Sequence, residues 1–489
     1  MDDVVSTTSG SVRGRRTGGV SSFLGIPYAA PPFGADRLRA PVPPHPWDGI
    51  REATAFGPTA PSPSFAPPLD ALLPDIQVPG EDCLNLNVWT PDPGAAGLPV
   101  MVWIHGGAFR NGSSCVPWYY GDRFARDSVV CVSLNYRLGC EGFLFVDDGP
   151  ANRGILDQLA ALEWVQSNIR SFGGDPDNVT VFGVSAGAMS VVTLLSMPRS
   201  AGLFHRAIAQ SGAGHQVLTS ETARSVTGEL ARRLAIEPTT EAFATIPADR
   251  LIVEQRQLSD DIEAEPDPDR WGEIGLDKLP FAPVLDGDIL TARPMERLAA
   301  GAGGDVDLLI GTNRDELRLY LVPNGVIDLI DAGALAGFAS RLGLDPAGVA
   351  AYESPGAAPG EVFSDVYTDW YFRIPAIRTA EAHQGRSHLY EFAWGSPLDD
   401  GRLGACHALE VGFVFDTLDE AGGGPLWGPA PPRQLATAMH GAWVAFATTG
   451  DPGWEDYGSD RRATMSFDVE SSVEYDPRSA RRAVWDGIR

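Results

Sequence analysis

The sequence predicts an α/β fold in which a mostly parallel sheet is flanked by helices, and three observations carry that prediction. From residue 84 onward, apolar segments of strand length alternate with segments whose apolar residues recur at helical spacing. The strand segments are apolar throughout, as strands buried on both faces are. Three of them end in reactive-looking residues, and ligands of open parallel sheets bind beyond the carboxyl ends of the strands.

The elements follow in order. "SGSVRGRRTGGVSSFLGIPYA" reads as short alternating strands with glycine turns, a small antiparallel edge. "PTAPSPSFAPPLDALLPDIQVPG" (58–80) is proline-rich and aperiodic, and reads as an ordered surface loop. "PVMVWIHGG" (99–107) and "SVVCVSLNYR" (128–137) are buried strands. "LDQLAALEWVQSNIRSFG" (156–173) is a helix with Leu159, Leu162, Trp164, Val165 and Ile169 near one face. "NVTVFGV" is a strand, "AGAMSVVTLLSM" a packed helix, and "VDLLIGTNRDE" (306–316) a further buried strand with a polar end. Such alternation implies right-handed crossovers in one sheet. No repeat of solenoid period interrupts it, and residues 1–489 read as one domain carrying insertions.

Composition narrows the class. A net charge of −27 argues against nucleic acid as a partner, because phosphate binding needs a basic footprint. The same charge suits a plain acidic surface or a funnel for cationic substrates. No apolar run approaches the ~18 residues of a membrane span. "MDDVVSTTSG" holds two acids and no apolar core, which argues against a secretory signal, so a cytoplasmic location is expected. Cysteines 83, 115, 131, 140 and 406 lack the spacing of a zinc site, and their odd number points to reduced thiols.

The chemistry begins at "TVFGVSAGAMS" (180–190), where Ser185 stands between Gly183 and Gly187. A strand-to-helix turn tight enough to need those glycines holds a serine hydroxyl out above the sheet. Alone the pattern is weak: with 55 glycines in the chain, about 0.4 matches arise by chance at average serine usage. Three further signals join it. "WIHGGAF" (103–109) can turn backbone N–H groups inward as an oxyanion hole, although any glycine turn would look similar. "IGTNRDEL" (310–317) sets Asp315 and Glu316 just past a strand, where acids also serve as helix caps. "LGACHALEVGFVFDTL" (403–418) embeds His407 among small and apolar residues, as a core histidine would also be. Glycine-rich loop, serine, acid, histidine is the chain order of the α/β-hydrolase fold.

The sequence resembles the type-B carboxylesterases, which include para-nitrobenzyl esterases, a phenylcarbamate hydrolase and the cholinesterases. The resemblance runs nearly end to end, through "FLGIPYAAPPFGADRLRAP", "EDCLNLNVWTP", "VWIHGGAF", "SLNYRLG", "NRGILDQLAALEWVQSNIRSFGGDPDNVTVFGVSAG", "GLFHRAIAQSG", "GTNRDE", "GACHALEVGFVF" and "AWVAFATTGDP". It implies Ser185 as nucleophile, His407 as general base and then acid, and Glu316 rather than Asp315 as the triad acid. It implies Gly107, Ala108 and Ala186 as oxyanion donors and places Ser211 near the triad. Arg37 with Glu81, and Arg137 with Asp175, resemble architectural ion pairs of the family. Glu141 stands where the family has an apolar residue, and Leu317 where it has glycine. Cys83 matches a disulfide cysteine of secreted relatives but has no upstream partner.

The expected reaction is ester hydrolysis through an acyl-enzyme, with a small-molecule ester and water as reactants and neither metal nor organic cofactor. Its histidine base must be neutral, so activity should rise with pH through the neutral range. Aryl carbamates or anilides are the alternative substrates. A non-catalytic binding module is the remaining alternative, since relatives that have lost the serine or histidine serve as such. Trp118, Trp271, Trp370, Tyr371 and Trp394 are candidates to line an aromatic pocket, or belong to the core. Oligomeric state is not legible here.

Overall fold

The computed structural model describes residues 3–419 and 425–488. Met1 and Asp2 of the opening stretch lie outside the described residues. Eleven strands form one sheet. Numbered along the chain they are β1 (Arg15–Thr17), β2 (Val20–Pro27), β3 (Asn85–Thr90), β4 (Leu98–Ile104), β5 (Val130–Leu134), β6 (Gly174–Val184), β7 (Arg206–Gln210), β8 (Asp307–Asn313), β9 (Ser387–Phe392), β10 (Ala463–Phe467) and β11 (Ser472–Tyr475). Their order across the sheet is β11-β10-β9-β8-β7-β6-β4-β5-β3-β2-β1. The run from β5 to β10 is parallel, and antiparallel strands close both edges. Val4–Thr7, Gly10–Arg13 and Ile50–Glu52 make a separate three-stranded sheet, so the N-terminal segment is the strand-and-turn region its sequence suggests.

Alternation along each strand assigns side chains to two cores. Val100, Val102 and Ile104 of β4 join the core that holds α1 (Arg153–Asn168) and α2 (Ala186–Ser196). Met101 and Trp103 point the other way, into a core built with α5 (Arg433–Thr449). Both sheet faces are thus covered, which is why these strands carry no polar alternation. Between β7 and β8 lies the helix α3 (Ala248–Ala264), and between β8 and β9 the helix α4 (Pro359–Thr368). Among the described residues no helix is long and apolar enough to cross a membrane.

Two ion-pair expectations need correction. Arg37 pairs with Glu141 at 2.6 Å, not with Glu81, and Arg137 pairs with Asp157 at 2.6 Å, not with Asp175. Glu141 and Asp157 are buried and each needs a cation, whereas Glu81 is exposed and Asp175 accepts the Asp177 N–H at 3.1 Å. Glu141, the departure from an apolar family position, is therefore the acid that fastens the N-terminal segment. All five cysteines are buried and free.

Candidate active site

β6 ends at Val184, α2 begins at Ala186, and Ser185 between them has φ 56° and ψ −124°. A non-glycine residue in that region is strained, and the surrounding structure must hold it there. It does so by close packing: a Cβ on Gly187 would lie 2.0 Å from the Ile104 carbonyl oxygen, so only glycine lets the start of α2 cross the end of β4. Ser185 N–H donates to Gln210 O at 2.8 Å, tying the turn to β7.

The loop after β4 reaches the same place. An ideal Cβ on Gly106 would lie 3.0 Å from Ser185 Cβ. Gly107, Ala108 and Phe109 follow with φ of 118°, 54° and 57°, a run of left-handed residues that turns the backbone back. Among the described residues, no protein acceptor takes the N–H of Gly107 or Ala108. Ala186 opens α2, where the first N–H groups have no intrahelical partner. Ser211 lies behind the turn, fully buried at φ 53°, and its Oγ has no hydrogen-bond partner among the described residues. Its neighbour Gly212 packs on the Ser185 carbonyl.

The acid and the imidazole meet past the ends of β8 and β9. Asp315 and Ala405 exchange hydrogen bonds: Asp315 N–H donates to Ala405 O and Ala405 N–H donates to Asp315 Oδ2, both at 2.9 Å. That clamp brings His407 Nδ1 to 2.6 Å from Glu316 Oε2. A carboxylate accepts, so Nδ1 carries the proton and Nε2 is left free as a base. Asn313 N–H donates to Glu316 Oε1 at 2.8 Å, and the carboxylate is wholly buried. Asp315 is thus the residue that positions the loop, and Glu316 the one that faces the imidazole.

Behind this pair lies a residue that the sequence reasoning missed. Glu410 is fully buried, its Oε2 accepts from Asn313 Nδ2 at 2.6 Å, and its Oε1 accepts from Gln210 Nε2 at 3.3 Å. Burial first, and the neighbouring Glu316 charge second, push its carboxyl up to about 7. The available signal was an acid three residues past His407 inside an otherwise apolar run.

Ser185, Ala186 and Ala108 open on a cavity of about 520 Å³. Its aromatic wall is Phe65, Tyr320, Tyr367, Tyr371 and Phe372. The His407 ring packs against two rings of that wall, Phe372 at 4.9 Å and Tyr320 at 5.8 Å. Lys278, the single lysine of the chain, lines the cavity and is exposed. Of the aromatic residues read from sequence, Tyr371 lines the cavity and the tryptophans do not. Trp118 packs on Trp427 at 4.9 Å in the core on the other sheet face, Trp271 is buried under Arg270, and Trp370 stacks behind Tyr367 and Tyr371. Trp394 packs on Phe413. Trp118, Trp271 and Trp370 are core residues and Trp394 is half-buried against the core, while smaller rings from residues 58–80 and from the segments after β8 take the wall. Among the described residues no three His, Cys, Asp or Glu side chains are grouped to hold a metal ion.

Comparison with known proteins finds the same architecture. The model of the "Carboxylesterase family" matches residues 1–326. The chain is 38% identical to a para-nitrobenzyl esterase of Bacillus subtilis, covering 98% of this chain and 97% of that one. It is 37% identical to a phenmedipham hydrolase of Pseudarthrobacter oxydans, covering 92% and 90%. The crystal structure of the Geobacillus stearothermophilus carboxylesterase EST55 at pH 6.2 superposes with a TM-score of 0.85 at 38% identity, covering 99% of both chains.

Proposed function

The chain belongs to the carboxylesterase family and is a carboxylesterase of the α/β-hydrolase fold, and from that premise we propose that it hydrolyses small-molecule carboxylic esters through an acyl-enzyme on Ser185. His407 Nε2 takes the Ser185 Oγ proton as the oxygen attacks the ester carbonyl. Glu316 holds the imidazole in the Nδ1–H tautomer and stabilises the imidazolium. The N–H groups of Gly107, Ala108 and Ala186 receive the oxyanion of the tetrahedral intermediate. The alcohol leaves with the proton from His407, and water, deprotonated by the same nitrogen, releases the acid.

The observation that carries this reading is the 2.6 Å imidazole–carboxylate pair, whose imidazole packs on Phe372 and Tyr320 of the cavity on which the strained Ser185 opens. Para-nitrophenol release from a short-chain ester tests it. Ser185→Ala should lower kcat by about 10⁴-fold or more with the fold intact; a variant retaining a tenth of the activity would sink the assignment. The aromatic wall favours a second substrate class for the same machinery, aryl carbamates or anilides, and the ratio of kcat/KM on matched ester and carbamate chooses between them. Five buried thiols support a reducing compartment, the cytoplasm. One domain across residues 1–489 is supported by the sheet, whose strands come from residue 15 to residue 475.

A further inference from the structure

We infer that Glu410 is a positioning residue of the triad: a second carboxyl, joined to Glu316 through Asn313, whose loss of a proton strengthens the hold on the imidazolium of His407. This rests on the assignment of His407 as base.

The geometry makes Asn313 the link between two carboxyl groups. Its backbone N–H donates to Glu316 Oε1 at 2.8 Å, while its side-chain Nδ2 donates to Glu410 Oε2 at 2.6 Å and to the Cys406 carbonyl at 2.7 Å. The Cys406 carbonyl can only accept, which fixes the amide with its nitrogen toward Glu410. Gln210 is oriented as firmly, because its Oε1 accepts the Trp443 indole N–H at 3.1 Å and leaves Nε2 for Glu410. Glu410 therefore faces two amide donors and can be held as a carboxylate, but it does so wholly out of water and beside a second carboxylate.

The titratable groups around Glu410 are few in kind. Glu316 and His407 face it from the loops after β8 and β9, Cys406 from beside His407, Tyr119 from the turn Pro117–Tyr119, and Tyr390 from β9. Burial raises the Cys406 thiol and both tyrosine hydroxyls, so these stay neutral and leave the charge balance to Glu316, His407 and Glu410. The Glu316 charge, like burial, favours the protonated form of Glu410. The proton on Glu410 comes off more readily when His407 is positive, and by linkage an ionised Glu410 stabilises that positive charge. The imidazolium forms during acyl transfer, so the Glu410 charge bears on the transition state as well as on the resting enzyme.

The test is the pH dependence of turnover of a para-nitrophenyl ester by wild type and Glu410→Gln, which mimics the protonated carboxyl in shape and charge. In wild type the rise of kcat/KM should be broad, spanning two coupled proton losses. In Glu410→Gln it should sharpen to one proton with a midpoint lower by about 0.5 pH unit or more, and kcat at pH 8.5 should fall about 3- to 10-fold with KM little changed. Profiles that superimpose in midpoint, slope and plateau would overturn the inference. If Glu410→Gln does not fold, Gln210→Met decides: removing a donor to the ionised carboxyl should move the upper part of the rise to higher pH, and an unmoved profile overturns it. Activity surviving Ser185→Ala would overturn the triad itself, a different failure.

Discussion

Asp157 takes three hydrogen bonds from Arg137: from its backbone N–H at 3.0 Å, from Nε at 2.8 Å and from Nη2 at 2.6 Å. Both side chains are out of solvent. Truncating one member leaves the other charge buried and unpaired, so Asp157→Ala should cost about 3–5 kcal/mol in a urea titration. Among the described residues Glu410 has no such cation in hydrogen-bond contact, and its pKa is raised rather than lowered. The native state therefore keeps a proton that the unfolded chain has already lost above its ordinary 4.5, and stability falls as pH rises from there toward about 7. Glu410→Gln has no such penalty. Relative to wild type it should gain on the order of 3 kcal/mol between pH 4 and pH 8, read as a growing Tm difference. What was legible at this scale follows from chemistry carried in short motifs. Ser185, Glu316 and His407 announce themselves by local pattern and order, and the structure brings Glu316 and His407 into contact. The partners of Arg37 and Arg137 do not, because which acid folds beside a guanidinium depends on packing between distant segments. Glu410 escaped notice for the same reason.

Among the elements, the strand-turn-helix at Ser185 and the loop after β4 were readable because steric demand leaves a glycine signature. The contact behind Gly187 is backbone against backbone, which neither side can relieve. Gly187→Ala should therefore leave little soluble enzyme, and what remains should lose at least about 100-fold in kcat, since a misplacement of ~1 Å costs that much. The cavity wall was not readable. Residues 58–80 scan as a surface loop, and the structure does leave them largely without helix or strand, yet Pro63–Leu69 form one side of the cavity. Proline-rich chain has no periodicity to reveal which side faces inward. The other side is set by a π turn, Asp369–Arg373, inserted between α4 and the helix Ile374–Ala382. That extra residue per turn shifts the helical phase, so Tyr371 and Phe372 face the cavity and Trp370 falls behind them. Phe65→Ala should raise KM for an aryl ester several-fold more than for ethyl acetate while changing kcat little.

Across the whole molecule, the sheet draws strands from both halves of the chain, and its parallel run, from β5 to β10, was foreshadowed by continuous apolar segments. Because β8 continues the sheet from β7, and the late helix α5 shares a core with Met101 and Trp103 of β4, neither half has a complete core of its own. Calorimetry should give one transition whose calorimetric and van't Hoff enthalpies agree; two resolved transitions would divide the chain into separate domains. The excess of acids was legible from composition, but not the distribution of the cations that offset it. Nearly all of those are arginine: of 37 basic residues one is lysine. Amine-reactive reagents thus meet one side-chain amine, Lys278, on the rim of the cavity that leads to Ser185. Coupling this protein to an activated-ester resin through that side-chain amine would tether it by the lip of its own entrance. A support chosen for convenience would then act as a plug, passing small esters and turning away large ones.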